Sequence, residues 1–196
     1  MWKRICCFSL LAFALGTLPA RASSISLSPS SPVIAGSTFN VDVLVNNVFD
    51  PPHALDILVG FGFNVAVDAP AIFQYVNATI DPLFDDASFP GSPDVFAFTH
   101  DPLGIAAPFV GPLRLATLHF LAVAPGITSV RVTSDLSDLN QGLFFAPPDP
   151  FDDLPPNADI TGAVRVTASA APVPEPTTLL LMTPLAGFLR RRKRRA

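Results

Sequence analysis

Apolar and polar residues alternate along much of this chain. In "TFNVDVLVNN", Phe39, Val41, Val43 and Val45 fall on one face of an extended strand, with Asn40, Asp42 and Leu44 on the other. Leu55, Ile57, Val59, Phe61, Phe63 and Val65 form a second series, separated by residues that include Asp56, Gly60, Gly62 and Asn64. Leu115, Thr117, His119 and Leu121 alternate with Ala116, Leu118, Phe120 and Ala122, so both faces of that strand are expected to be at least partly covered. "TSVRVTSDL" and "TGAVRVTAS" each set an Arg between two Val residues, as in a strand with one wet face. Shorter candidates are "SISLS", "AIFQYVNAT" and "DVFAFTH". Pro32 with Gly36, Asp50-Pro51-Pro52, Ala69-Pro70, Pro90-Gly91, Pro125-Gly126 and Pro155-Pro156-Asn157 punctuate these runs as turns. No ten-residue stretch of this region carries a helical stripe. About eight or nine strands at this spacing predict an all-β, antiparallel β-sandwich.

The two ends follow a different pattern. Lys3 and Arg4 precede an apolar run from Ile5 to Leu18, Pro19 breaks it, and Ala20-Arg21-Ala22 supplies a small-x-small site. This is the pattern of a secretory signal peptide cut after Ala22 by signal peptidase, because roughly 14 apolar residues fall short of the ~20 needed to span a bilayer. Its removal takes away Trp2, Cys6 and Cys7, which leaves no disulfide and no thiolate chemistry. At the other end, the uncharged segment from Thr177 to Leu189 would reach about 20 Å as a helix, against a hydrocarbon core of about 30 Å, and it contains Pro184. Arg190, Arg191, Arg192, Lys193, Arg194 and Arg195 follow it and are expected to stay on the cytoplasmic side by the positive-inside rule.

Charge sharpens this division. The chain has a formal net charge of −4, yet between Ser23 and Ala171 there are fifteen Asp, no Glu and only Arg114, Arg131 and Arg165, a net charge of −12. Such a domain repels nucleic acid and anionic lipid, and attracts divalent cations or basic partners.

Catalytic chemistry is not indicated. His53, His100 and His119 stand in no H-E-x-x-H arrangement, there is no G-x-S-x-G elbow, and "GFGFNVA" has the wrong spacing for a phosphate loop. The chain is therefore read as a non-enzyme. Asp-rich loops offer oxygen ligands for calcium, with Asp135, Asp138 and Asn140 as the foremost set. Further carboxylates stand at Asp149, Asp152, Asp153 and Asp159, and at Asp81, Asp85 and Asp86. The bland alternative is solvated turn carboxylates. Tyr75 is the lone tyrosine, and most Phe residues sit at positions that strands would bury. That argues against a flat aromatic platform for sugars, though not against a Phe-lined groove.

The succession "GSTFNVDVLVNNV", "ALDILVGFGFNVAVDAPAIFQYV", "GPLRLATLHFLAVAPGITSVRVTSDLSDLNQ" and "AVRVTAS" resembles the cohesin-like module over about residues 25–168. The resemblance implies a nine-stranded jelly-roll sandwich, related in fold to some carbohydrate-binding modules. It also implies a role in docking a protein partner, and in some members calcium bound in loops. The C-terminus is similar to the PEP-CTERM sorting signal: Val173-Pro174-Glu175-Pro176, then "TTLLLMTPLAGFL", then "RRRKRR". That similarity implies recognition by an exosortase of a Gram-negative bacterium, cleavage near the motif, and release or attachment at the cell surface, often alongside exopolysaccharide.

The expected organisation is a signal peptide (1–22), a sandwich domain (23–168), a linker with the Val-Pro-Glu-Pro motif (169–176), a membrane segment (177–189) and a basic tail (190–196). The expected function is that of an exported, non-catalytic cell-surface or extracellular-matrix protein that binds a protein partner. The alternative is a polysaccharide-binding module of an exopolysaccharide or biofilm matrix.

Overall fold

The structure is a computed structural model that describes residues 24–172 apart from 31, 51–52, 91 and 110. The expected signal peptide (1–22), the Val173–Pro176 motif, the 177–189 segment and the basic tail (190–196) lie outside the described residues. Among the described residues there are twelve strands and no helix, so none that could cross a membrane.

Two sheets face each other. The smaller runs in the order β1 (Ser24–Pro29), β3 (Thr38–Asn46), β9 (Leu113–Ala122), β5 (Phe73–Ile80), all antiparallel. The larger runs β2 (Val33–Ile34), β12 (Gly162–Ser169), β10 (Gly126–Thr133), β4 (Ile57–Val67), β7 (Asp94–Thr99), β6 (Phe84–Asp86), with β8 (Ile105–Ala106) and β11 (Gly142–Ala146) also paired to β4. Strand β4 is long enough to hold two partners on each edge. Strands β10 and β11 follow one another along one edge, at residues 64–67 and 57–62. Strands β7 and β8 do the same along the other, at 60–64 and 57–58.

The all-β sandwich agrees with the pattern of the sequence, with two corrections. The pairing is not wholly antiparallel, because β2 runs parallel to β12. After Pro29 the chain leaves the smaller sheet, and Val33 and Ile34 join the edge of the larger one beside Ala168 and Ser169. In addition, β2, β6, β8 and β11 were not anticipated. Each is five residues or fewer, too short for a period of two to stand out.

The core fills the space between the sheets. Val41, Val43 and Val45 of β3 are fully buried, as the alternation predicts. Phe39 stacks on Phe120 with ring centroids 5.3 Å apart and meets Phe73 edge-on at 4.8 Å. On the opposite sheet Phe61 meets Phe84 edge-on at 4.9 Å. Two strands break the simple alternation. On β9 the register against β3 slips at Val43/Leu44, which leaves Leu115 as an extra residue. Leu113 and Leu115 are therefore buried together with Ala116, Leu118, Phe120 and Ala122. On β4 the register against β11 slips across Val59, so that Leu58 is buried while Ile57 and Val59 are only partly covered and Leu55 is 79% exposed. The series drawn from Leu55 through Val59 thus does not hold. A bulge changes which face each later residue occupies.

Few polar groups enter this interior. His53 is buried with its ring stacked on Phe145 at 4.0 Å and its Nδ1 2.8 Å from Asp56 Oδ2. Tyr75 packs edge-on to Phe120, and its burial, aided by the nearby Asp86 carboxylate, pushes its phenol up to about 12.

Leu118→Ala is expected to lower unfolding stability by about 2–5 kcal/mol in urea titration, since it opens a cavity at a fully buried site. Leu139→Ala, at a position 86% exposed, should change it by less than about 0.5 kcal/mol. Equal losses at the two sites would contradict the packing described.

Candidate binding face

The outer surface of the larger sheet carries the most distinctive arrangement of side chains. Residues paired across strands share a face, so Asp85, Phe98, Gly60 and Phe144 form one row across β6, β7, β4 and β11. Phe96, Gly62 and Gly142 form the next row, and Asp94, Asn64 and Thr133 the one after that. Phe61 and Phe63 of β4 point inward, so the two glycines between and before them point outward. Phenylalanine rings from the neighbouring strands cover the bare backbone. A Cβ on Gly60 would lie 3.1 Å from both Phe144 and Phe98, and one on Gly62 would lie 3.1 Å from Phe96 and would run into the Asn140 carbonyl. Gly62 is thus needed for the 135–141 loop to close over β4.

These rings touch one another. Phe96 and Phe98 meet at 4.7 Å and 80°, and Phe96 and Phe144 at 5.7 Å. Phe98 is 48% exposed. The strip is apolar and bordered by carboxylates. Asp85, Asp94 and Asp101 are all exposed. His100 Nδ1 lies 2.9 Å from Asp85 Oδ1; that hydrogen bond and the Asp85 charge, with help from Asp101, hold the imidazole above its ordinary value. Elsewhere Arg114 and Arg131 are engaged by Asp81 and Asp68, each at 2.9 Å.

Beside this strip a groove of about 340 Å³ opens between segments 87–94 and 138–141. Phe89, Phe96, Asp94, Asp138, Asn140 and Gln141 contribute to its lining.

Two of the three residues read from sequence as calcium ligands, Asp138 and Asn140, therefore line the groove, and Asp135 does not. The three lie in successive tight turns. Asp135 Oδ1 accepts hydrogen bonds from the Ser137 hydroxyl at 2.6 Å and its backbone N–H at 2.9 Å, which hold the carboxyl below the usual carboxylate range. Asp138 Oδ1 accepts the Asn140 N–H at 2.9 Å. Asp81, Asp86, Asp101 and Asp149 accept the N–H two residues on in the same way. Among the described residues no group of three or more His, Cys, Asp or Glu side chains is placed to hold a metal ion. The histidines are dispersed: His119, on the smaller sheet's outer face, is bonded to Asn40 and Thr79 at 2.8 Å, far along the chain from the His100–Asp85 and His53–Asp56 pairs.

The sequence reading passed over Phe89, Phe96, Phe98 and Phe144. A signal for two of them was present. The F-x-F of "DVFAFTH" and the G-x-G of "GFGF" have the same period, and aromatic residues pack over glycine on neighbouring strands.

No protein-family model and no curated protein matches this chain. Solved structures do. The cohesin module of a family 33 glycoside hydrolase from Clostridium perfringens matches with a TM-score of 0.52 at 10% identity, over 76% of this chain and 98% of that module. The seventh ScaB type I cohesin of Pseudobacteroides cellulosolvens matches with a TM-score of 0.48 at 14% identity, over 79% and 96%. The sixth cohesin of Acetivibrio cellulolyticus scaffoldin B, solved in complex with a Cel5 dockerin, matches with a TM-score of 0.44 at 15% identity, over 74% and 99%. The first of these shows the fold alone: the domain has the β-sandwich fold of that cohesin module.

The His100 imidazole should titrate by NMR with a midpoint above about 6.5, and Asp85→Asn should bring it down toward that value. Because the folded value is the raised one, the contribution of the pair to stability is fully present below about pH 6.5 and is lost as pH rises through the elevated midpoint. A midpoint unmoved by Asp85→Asn would refute the pairing.

Proposed function

We propose that this chain is an exported, non-catalytic binding module that docks a protein partner across the outer face of its larger sheet. It works at the cell surface or in the extracellular matrix. The observation that carries this reading is the Phe96–Phe98–Phe144 strip. It is an aromatic patch on a glycine-backed sheet, with Phe98 left 48% exposed beside the carboxylates of Asp85, Asp94 and Asp101. Buried aromatic anchors inside a polar rim are the usual energetic centre of a protein interface. The acidic rim selects a partner whose matching surface is apolar at its centre and basic at its edge. The cohesin-like resemblance, with its docking role, supports the same reading.

Export rests on the two ends of the sequence. The signal peptide (1–22) directs the chain to signal peptidase, and Val173-Pro174-Glu175-Pro176, the 177–189 segment and the basic tail direct it to an exosortase. Strand β12 ends at Ser169, beside Gly126 of β10, and so leads to the sorting motif from one end of the sandwich. The loops around Leu55, Leu103, Phe109 and Phe151 lie at the opposite end, where β4, β8, β9 and β11 start or finish. A domain tethered through its C-terminus would hold that end away from the membrane and leave the sheet face open along its side.

Two experiments test the parts separately. The intact mass of the protein recovered from its native host should correspond to loss of residues 1–22 and of the segment after the Val-Pro-Glu-Pro motif; retention of 177–196 would overturn the sorting assignment. A photo-crosslinking residue at Phe98 should give protein adducts on intact cells, and one at Phe151, 95% exposed at the far end, should not. Equal labelling at both sites, or none at Phe98, would reject the docking face.

A further inference from the structure

The groove between segments 87–94 and 138–141 offers a second site with a different chemistry. Its volume, about 340 Å³, falls in the range of small-molecule pockets. Phe89 is 80% exposed at its rim and Phe96 is partly buried beside it, so aromatic ring surface is presented to solvent. An exposed ring on a loop has no packing role in the sandwich.

The polar groups here are poised for a ligand. The Asp94 carboxylate and the Asn140 side-chain amide make no hydrogen bond among the described residues. Gln141 uses its Oε1 to accept the Asp135 N–H at 2.7 Å, which leaves its amide N–H groups free. Asp138 uses Oδ1 for the turn and keeps Oδ2. The site thus holds carboxylate acceptors and amides that both donate and accept, with no Lys or Arg in its lining. A ligand matching this set carries many hydroxyl donors, has an apolar C–H face for the rings and bears no negative charge.

We propose that the groove binds a neutral polysaccharide, with one sugar ring against Phe89 and its hydroxyls bonded to Asp94, Asn140 and Gln141. The net charge of −12 across Ser23–Ala171 disfavours a polyuronate. A cationic peptide is the weaker match. It would use the carboxylates of Asp94 and Asp138 but leave the amides of Asn140 and Gln141 unused, whereas an uncharged hydroxyl-rich ligand pairs with both and lies against the ring faces. The inference goes beyond protein docking and does not depend on it. The groove borders the docking strip at Phe96, but Phe89 and Asn140 belong to the groove side alone.

The test uses the full-length chain purified in detergent, on immobilised neutral glucans, mannans and galactans, with a polyuronate and oligolysine as charged counterparts. Saturable binding to a neutral polymer is expected, with none to the polyuronate. Phe89→Ala and Asn140→Ala should each weaken it about tenfold, the scale of one lost ring contact or hydrogen bond. Phe151→Ala should leave it unchanged, and circular dichroism should show all variants folded. The inference is overturned if no neutral polymer binds, if both groove substitutions leave binding intact, or if only oligolysine binds. Loss of sugar binding with crosslinking at Phe98 retained would sink this proposal alone; the reverse would sink only the docking face.

Discussion

Burial of apolar side chains between two sheets is the interaction on which everything else in this domain depends. The two cysteines of the chain stand at positions 6 and 7, ahead of the sandwich, so no disulfide within the domain restrains it. Val41, Val43 and Val45 share one core with Phe61, Phe63, Val130 and Val132, an interior that admits few polar groups. Each fully buried side chain of this size contributes roughly 1.5–3 kcal/mol of transfer free energy. The sheets hold together only while those residues point the same way. The bulges at Leu115 and Val59 reset the phase so that Leu113, Leu115 and Leu58 also reach the core.

The outer face of the larger sheet is a consequence of the same constraint. With Phe61 and Phe63 committed inward, the residues between and before them must face outward beneath the 135–141 loop and the rings of β7 and β11. Only glycine leaves room there. The side chains that cover Gly60 and Gly62 are aromatic because a bare strand backbone needs a broad neighbour to keep water from its ladder hydrogen bonds. A device that completes the sheet therefore also produces an exposed apolar strip. The groove beside it arises where the loop that closes over Gly62 meets the turn before β7.

Charge adds a second level of organisation. Asp81, Asp86, Asp101, Asp135, Asp138 and Asp149 each cap a turn by accepting the backbone N–H two positions on, so part of the Asp content has a local structural cause. Their sum is nevertheless a field. It surrounds the Phe98 strip, lifts the His100 imidazole through Asp85, and sets the sign of any partner that approaches. Most of the basic residues of the chain stand apart from this domain, near its two ends.

The sequence alone determined the fold class, because a period of two needs no partner to be visible. The alternation in Phe39–Val45, the Arg residues flanked by Val in β10 and β12, and the Pro and Gly punctuation all follow from how one strand meets one buried face. The charged and apolar runs at the two ends are read along the chain in the same way, and they lie outside the described residues. What only the tertiary structure decided is where the phase slips and what lies opposite what. The bulges at Leu115 and Val59, the parallel join of β2 to β12, the four short strands, and the meeting of F-x-F with G-x-G all depend on residues distant in sequence. So does the groove, which brings Phe89 and Asp94 to Asn140 and Gln141. Pairing between strands carries no period of its own within either strand, and a binding surface made by such pairing exists only once the sheet has closed.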